Sequence, residues 1–303
     1  MNQNHFQETG HSGESLPLRA GLILVFLCFL WGANAVSIRI SNQGMPPLMS
    51  AALRSLISGT LVWIYARMKG RCVAFPPGQT RHALAIGILF GTEFLFMYWG
   101  LAFTPASRSA IFLYTHPFWV ALGAHFLLKG DRLTPSRIFG LILAFSGLLA
   151  VFQARSPELP PFYRLGDLMI LAAALLWAAS TLYIKRMTEK TQLDHFQTLF
   201  AQLICSFPVL ALGSLVFEMP AEPHLSPAIL ISLFFQIVVV AFASYLVWFR
   251  LVHRYSVSRL ASYTFLAPFF GVILGGLILN EPLGLAVWTG LVCVGGGVYI
   301  VNR

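Results

Sequence analysis

Glu93 is the residue whose type and place in this chain most directly suggest chemistry. It stands in Gly91-Thr92-Glu93-Phe94-Leu95-Phe96, midway along an apolar stretch and far from either of its ends. A carboxylate in such surroundings is costly and faces a cavity or a partner. There it can exchange a proton or bind a cation. The structural alternatives are a buried ion pair, or a protonated carboxyl bonded to a neighbouring helix. Arg54, in Ala52-Leu53-Arg54-Ser55, is the natural counter-ion. A Glu93–Arg54 pair is expected to keep the interior neutral until a proton or a solute intervenes. Arg39 and Arg108 lie within a turn or two of a span end and are expected to snorkel to the interface.

Neutral polar groups and aromatic rings complete the candidate site. Asn34 and Ser180 each follow a tryptophan, Trp31 and Trp177, by one helical turn. Small polar residues so placed either hydrogen-bond a solute or hold helices together. The two tryptophans either line a cavity or anchor packing. His116 precedes Pro117, whose ring removes one backbone hydrogen bond; such a break is tolerated where protein or a cavity resatisfies the freed carbonyl. Imidazole there can serve as a proton carrier or as a satisfied core residue. Tyr98, Tyr114, Tyr245 and Tyr263 bring hydroxyls into aromatic stripes that otherwise read as packing. An aromatic cage of this kind suits an apolar or cationic solute. Gly87-x-x-x-Gly91 and Gly271-x-x-x-Gly275 permit close helix approach and are expected to be packing or sliding surfaces.

All these groups must be positioned by about ten apolar segments. Each is near the roughly 20 residues that an α-helix needs to cross a bilayer core. The pattern predicts helices near 20–40, 48–68, 82–103, 106–128, 134–153, 166–187, 194–217, 227–252, 257–279 and 284–302. Gly44-Met45-Pro46-Pro47, Pro76-Pro77-Gly78, Pro157 to Pro161 and Pro220 to Pro227 separate them. With 57% hydrophobic and 10% charged residues, and a mean hydropathy of +0.74, a soluble globular domain is excluded. The expected class is an all-α integral membrane protein.

Charge sets the expected sidedness. With the N-terminus inside, fifteen Lys and Arg residues fall at the inner ends of the spans. They include Arg67, Lys69, Lys129, Arg132, Lys185, Arg186, Arg250 and Arg254. Outside the helices the other face holds only Arg155 and Arg164, with Glu158, Glu218, Glu222 and Glu281. Cytoplasmic loops retain positive charge, so both termini are expected to be cytoplasmic. The net charge of +9 is thus a topological signal, and its dispersal among short loops argues against nucleic-acid binding. Residues 1–18 read as a polar cytoplasmic tail without the apolar core of a signal peptide.

Neither a disulfide framework nor a metal site is expected. Cys28, Cys205 and Cys293 fall inside helices, Cys72 lies in a loop, and the eight histidines are scattered. No other cofactor is called for.

The second half of the chain repeats the first. Leu30-Trp31-Gly32-Ala33-Asn34 answers Leu176-Trp177-Ala178-Ala179-Ser180, and Arg39 answers Lys185. Ser107-Arg108-Ser109-Ala110 and His116-Pro117-Phe118 answer Ser258-Arg259-Leu260-Ala261 and Ala267-Pro268-Phe269. Gly130-Asp131 answers Asn280-Glu281. Five spans per half is an odd number, so the halves, 19–153 and 154–303, enter the membrane from opposite sides. Inverted repeats of this kind place a solute site near the midplane of secondary transporters. The match is imperfect: Phe200-Ala201-Gln202 stands where the first half has Arg54.

Ten helices in two inverted halves, each opening with Leu-Trp-(Gly/Ala)-Ala-(Asn/Ser), resemble the EamA branch of the drug/metabolite transporter superfamily. The prolines of the fourth and ninth spans, the acidic turns at Asp131 and Glu281, and Gly290 with Gly295-Gly296-Gly297 also fit. The resemblance covers roughly residues 20–302. It implies a central cavity, rocking of helices and no nucleotide hydrolysis. It also implies a bacterial inner membrane, and a solute drawn from amino acids, other metabolites and drugs.

The expected function is therefore secondary export of a small metabolite such as an amino acid or amine, with proton antiport through Glu93. An uncoupled facilitator or exchanger of the same fold is the alternative. An intramembrane enzyme lacks its constellation, since there is no His-Glu-x-x-His, Gly-x-Ser-x-Gly or paired Asp cluster. A primary pump lacks the phosphate loop. The expected partners are a small-molecule solute, the lipid bilayer and, for antiport, protons, with no obligate protein partner.

Overall fold

Helix punctuation in the sequence places the elements of the computed structural model, which describes residues 16–104, 106–153, 161–191, 193–218, 222–279 and 285–303. Pro17 precedes Leu18–Ser41 (α1), and Pro47 occupies the first turn of Pro47–Met68 (α2), where a missing N–H costs nothing. Thr80–Phe103 (α3) completes the first three spans. The fourth span is broken: Ala106–Leu113 (α4) ends in a turn at Tyr114 and Thr115, and His116–Leu127 (α5) resumes with Pro117 in its first turn. Pro135–Gln153 (α6) closes the first half.

The second half opens with Tyr163–Lys190 (α7). Asp194 then starts His195–Phe217 (α8) with a capping box: its carboxylate accepts from the N–H groups of Phe196 and Gln197 while Gln197 Oε1 accepts from its own N–H. Ser226 and Pro227 start Pro227–Phe234 (α9), which runs through a π-helical segment, Phe235–Ser244, into Tyr245–Arg254 (α10). The ninth span is broken like the fourth. Val257–Tyr263 (α11) ends in a turn at Thr264 and Phe265, and Leu266–Leu279 (α12) follows. Leu285–Asn302 (α13) is the last helix.

Among the described residues, eight helical stretches are long and apolar enough to cross a membrane, and Pro135–Ala150 and Trp288–Asn302 are shorter apolar helices. The chain is an all-α integral membrane protein of ten spans in two inverted five-helix repeats. Large apolar side chains such as Phe26, Phe126, Ile142, Leu212 and Val292 are exposed on its perimeter, as lipid-facing surface must be.

Two departures from continuous helices have physical causes. Proline breaks the fourth and ninth spans near mid-length, because its ring denies a ladder hydrogen bond. The π-helical segment of the eighth span was not foreseen. Hydroxyls of neighbouring helices bond its backbone and the turn before it: Ser58 Oγ donates to the Ile237 carbonyl (2.9 Å), and Ser37 Oγ to the carbonyl of Ser232 in α9 (3.0 Å). Such segments are rare and commonly mark functional sites.

Interhelical contacts tie the halves together. Gly32 of α1 lies against the backbone of Gly271 and Ala267 of α12, so close that any side chain at 32 would meet it. Gly87 and Gly91 pack α3 on Cys205, Ser206 and Val209 of α8. Both are packing surfaces; the side-chain surroundings of position 275 lie outside the described residues. At the basic end of the bundle, where Arg67 and Lys185 lie, Asp131 accepts from Arg137 Nη1 (2.8 Å) and from the Ser258 N–H at the start of α11 (3.1 Å). At the other end, Glu218 receives the N–H groups of Leu48 and Met49 (2.6 and 2.9 Å), neutralising the positive start of α2. The mate of Asp131, Glu281, lies outside the described residues, as do the tail to residue 15, Arg155, Glu158, Asn280 and the side chain of Arg108. Arg39 is exposed.

Candidate functional site

The middle of the bundle encloses a cavity of about 220 Å³ walled by both halves. The first half contributes from α1, α2, α3 and the end of α4; the second contributes from α7, α8, the π-helical segment and α10. Regular helices project side chains inward at one-turn intervals, which is why Trp31, Asn34 and Ile38 appear together, as do Trp177, Ser180, Thr181 and Ile184.

Glu93 and Arg54 both line this cavity and are 5% and 2% exposed. They do not form the expected pair. Among the described residues no ion pair or hydrogen bond joins them, and Glu93 Oε2, Arg54 Nε and Arg54 Nη2 have no hydrogen-bond partner. What holds the guanidinium is the Phe94 ring, whose centroid lies 4.6 Å from its central carbon. Arg54 thus sits over an aromatic face and, among the described residues, makes no direct ion pair with an acidic side chain. The two charges share a room without closing on each other.

Asn34 and Ser180 reach the same cavity from opposite halves, and Asn34 Oδ1 is buried without a partner. Trp31 and Trp177 form facing parts of the wall. Trp31 donates its indole N–H to Ser244 Oγ (3.0 Å) and meets Trp248 edge to face, with centroids 5.2 Å apart. Trp177 is backed by His116, stacked at 3.8 Å with planes 9° apart. Tyr114 and Tyr245 also line the cavity.

His116, Tyr98 and Tyr263 do not. His116 is fully buried behind Trp177, and neither of its ring nitrogens has a hydrogen-bond partner among the described residues. It is a stacking residue, not the hydrogen-bonded core histidine that burial usually demands. Tyr98 packs beside Phe94 in the apolar cluster of Leu48, Ala51 and Leu210. Tyr263, close to the repeat mate of Tyr114, turns away toward Gly21, and its carbonyl accepts the Cys28 thiol.

That last contrast follows the broken spans. Residues 110–114 at the end of α4 are half-buried, and Leu113 and Tyr114 among them reach the cavity, whereas Val257 to Ser262 of α11 are all buried. Residues outside the candidate set also line the site: Gln202, Thr181, Phe90, Trp248 and Phe249. Gln202 had a visible signal, as the occupant of Arg54's repeat position, and Trp248 belongs to the aromatic stripes of the sequence. Thr181 had none, because periodicity does not tell a cavity wall from a packed face.

A buried cavity with both charge signs, set between two inverted halves of a membrane bundle, defines a membrane transporter. The EamA-like transporter family model matches residues 19–153 and 164–303, so each half matches once and the chain belongs to that family. The "Uncharacterized transporter YvbV" of Bacillus subtilis (strain 168) is 29% identical over 94% of this chain and 92% of that protein. A "Probable amino-acid metabolite efflux pump" of Salmonella typhimurium is 27% identical over 92% and 93%. A crystal structure 21% identical in sequence superposes with a TM-score of 0.79 over 94% of this chain and 96% of that one, a likeness of fold.

Proposed function

We propose that this protein is a secondary active transporter that exports a small metabolite by alternating access, as an antiporter of protons coupled at Glu93. The observation that carries the reading is a carboxyl and a guanidinium buried in one cavity between inverted halves, unpaired with each other. A carboxyl and a guanidinium held in a low-dielectric site without a direct bond between them are expensive. They are retained where a ligand or a proton completes the balance during a cycle. In the cycle we infer, Glu93 accepts a proton from the outer solution as solute leaves. It releases that proton inward before the next solute binds.

The inverted repeat supplies the motion. In the present arrangement α4 reaches the cavity while its mate α11 is packed away. Exchange of these two roles turns the opening to the other end of the bundle, bringing Tyr263 toward the place Tyr114 now holds. Both termini are assigned to the cytoplasm from the basic ends of the spans. The bacterial relatives support placing the protein in the inner membrane, and the printed name of the Salmonella relative supports an amino acid or related metabolite as cargo. The cavity does not call for a catalytic role, since its polar groups do not include a nucleophile set beside a base.

Counterflow into proteoliposomes tests the reading, using pooled labelled amino acids and organic cations with and without an imposed pH gradient. Uptake that responds to the gradient supports proton antiport. Uptake indifferent to it selects an uncoupled facilitator or exchanger instead. Absence of uptake from every pool contradicts the proposed cargo.

A further inference from the structure

We propose that Arg54 is the anchor for a carboxylate on the transported solute, so that the cargo is a small organic carboxylate with an apolar body. This rests on the transport reading above and names the solute class of the same cavity. Arg54 is 2% exposed, lines the cavity and, among the described residues, has no acidic partner. A guanidinium presents coplanar N–H donors in a fork that matches the two oxygens of a carboxylate. The Phe94 ring lies 4.6 Å from the guanidinium carbon, and Nε and Nη2 are left without a hydrogen-bond partner among the described residues, so a ligand carboxylate can supply one.

The rest of the cavity agrees. Gln202 and Asn34 add amide donors to the lining, and the walls of Trp31, Trp177 and Trp248 are apolar. Such a site fits one charged end and one apolar body. A solute that is only a cation finds Glu93 attractive but leaves Arg54 uncompensated beside it. A phosphate monoester brings about two negative charges to a cavity that offers one cation and already holds one carboxyl. A monocarboxylate balances Arg54, and an amino group on the same solute finds Glu93.

Two sets of molecules with matched bodies test this in the full-length protein. One is 3-phenylpropionate, L-phenylalanine, L-phenylalaninamide and 2-phenylethylamine; the other is 4-methylpentanoate, L-leucine, L-leucinamide and 3-methylbutylamine. Binding is read as thermal stabilisation in nanodiscs, and exchange as counterflow in proteoliposomes, for wild type, Arg54→Lys and Arg54→Gln. The carboxylate-bearing members are expected to bind at least about tenfold tighter than the amide or amine of the same body. Arg54→Gln should abolish that preference and Arg54→Lys retain part of it. Amides or amines that bind as well as the acids overturn the proposal, as does an undiminished acid preference in Arg54→Gln. So does the absence of stabilisation by any acid of either body. Acids that bind without exchanging support the carboxylate anchor and overturn the transport reading instead. Where Arg54→Gln does not elute as a monodisperse folded protein, the acid-to-amide ratio of wild type decides.

Discussion

The two halves of this protein build matching walls and then differ where the charges stand. Trp31 and Trp177, and likewise Asn34 and Ser180, line the same cavity from the two halves, each pair about 146 residues apart in the chain. Arg54, however, is answered by Gln202. Glu93 has its counterpart within the π-helical segment Phe235–Ser244, where Val240 is the lining residue. The shared positions are aromatic or small and polar, and they shape a room. The unshared positions carry the charge, and they decide what the room can hold. In the proposed function the duplicated framework supplies the two-way access and the first half supplies the chemistry.

Polar groups along the eighth span are treated differently from those at the charged positions. Around that span, hydroxyls and backbone carbonyls satisfy one another. Ser37 and Ser58 take up carbonyls of the eighth span, and Ser244 bonds both Trp31 and the Val240 carbonyl. In the first half, Glu93 Oε2, Asn34 Oδ1 and two nitrogens of Arg54 are left without partners among the described residues. Unsatisfied buried polar groups cost about 1–3 kcal/mol each, and more when charged. These four atoms belong to residues of the cavity wall, where a solute can relieve that deficit.

Four substitutions break or sharpen this contrast. The largest effect is expected for Glu93→Gln, which makes the first half as neutral as the second: transport should lose its response to an imposed pH gradient, read by counterflow at two pH values. Next is the exchange of the charge between halves in the double variant Arg54→Gln/Gln202→Arg. Counterflow should recover only in part, because position 202 lacks the Phe94 face; full recovery would mean that the halves are interchangeable in this respect. Trp177→Ala removes a shared wall residue and should weaken solute binding about tenfold, the loss of one aromatic contact worth roughly 1–1.5 kcal/mol. The smallest effect belongs to Trp31→Phe, which keeps an aromatic ring but loses the pyrrole part of the indole and its bond to Ser244. It should lower stability by about 1 kcal/mol, seen as a small fall in melting temperature in detergent.

Most of the framework was legible in the sequence because lipid imposes simple rules. Apolar length marks a span, Pro and Gly mark its ends, and an odd number of repeated spans forces inversion. The breaks in the fourth and ninth spans were foreshadowed by Pro117 and Pro268. The π-helical segment was not, since Phe235 to Ser244 has ordinary helical residues and the Ser58 hydroxyl that bonds its backbone comes from another helix. At the site, Glu93 and Arg54 stood out because charge in a span is rare. Their separation did not, because the Phe94 ring that holds Arg54 competes with Glu93 in a way that one-dimensional spacing cannot rank. Tyr114 and Tyr263 show the remaining gap: near-equivalent in sequence, they point to different places because their broken helices pack differently at the two ends.

Substrate-driven proton movement tests the central claim most directly. Wild-type protein and Glu93→Gln are reconstituted in liposomes containing a pH-sensitive dye, and a solute gradient is imposed without any initial pH difference. Solute flux through the wild type should drive protons the opposite way, with no proton movement in Glu93→Gln. Equal proton movement in both proteins, or solute flux through the wild type that moves no protons, would contradict coupling at Glu93.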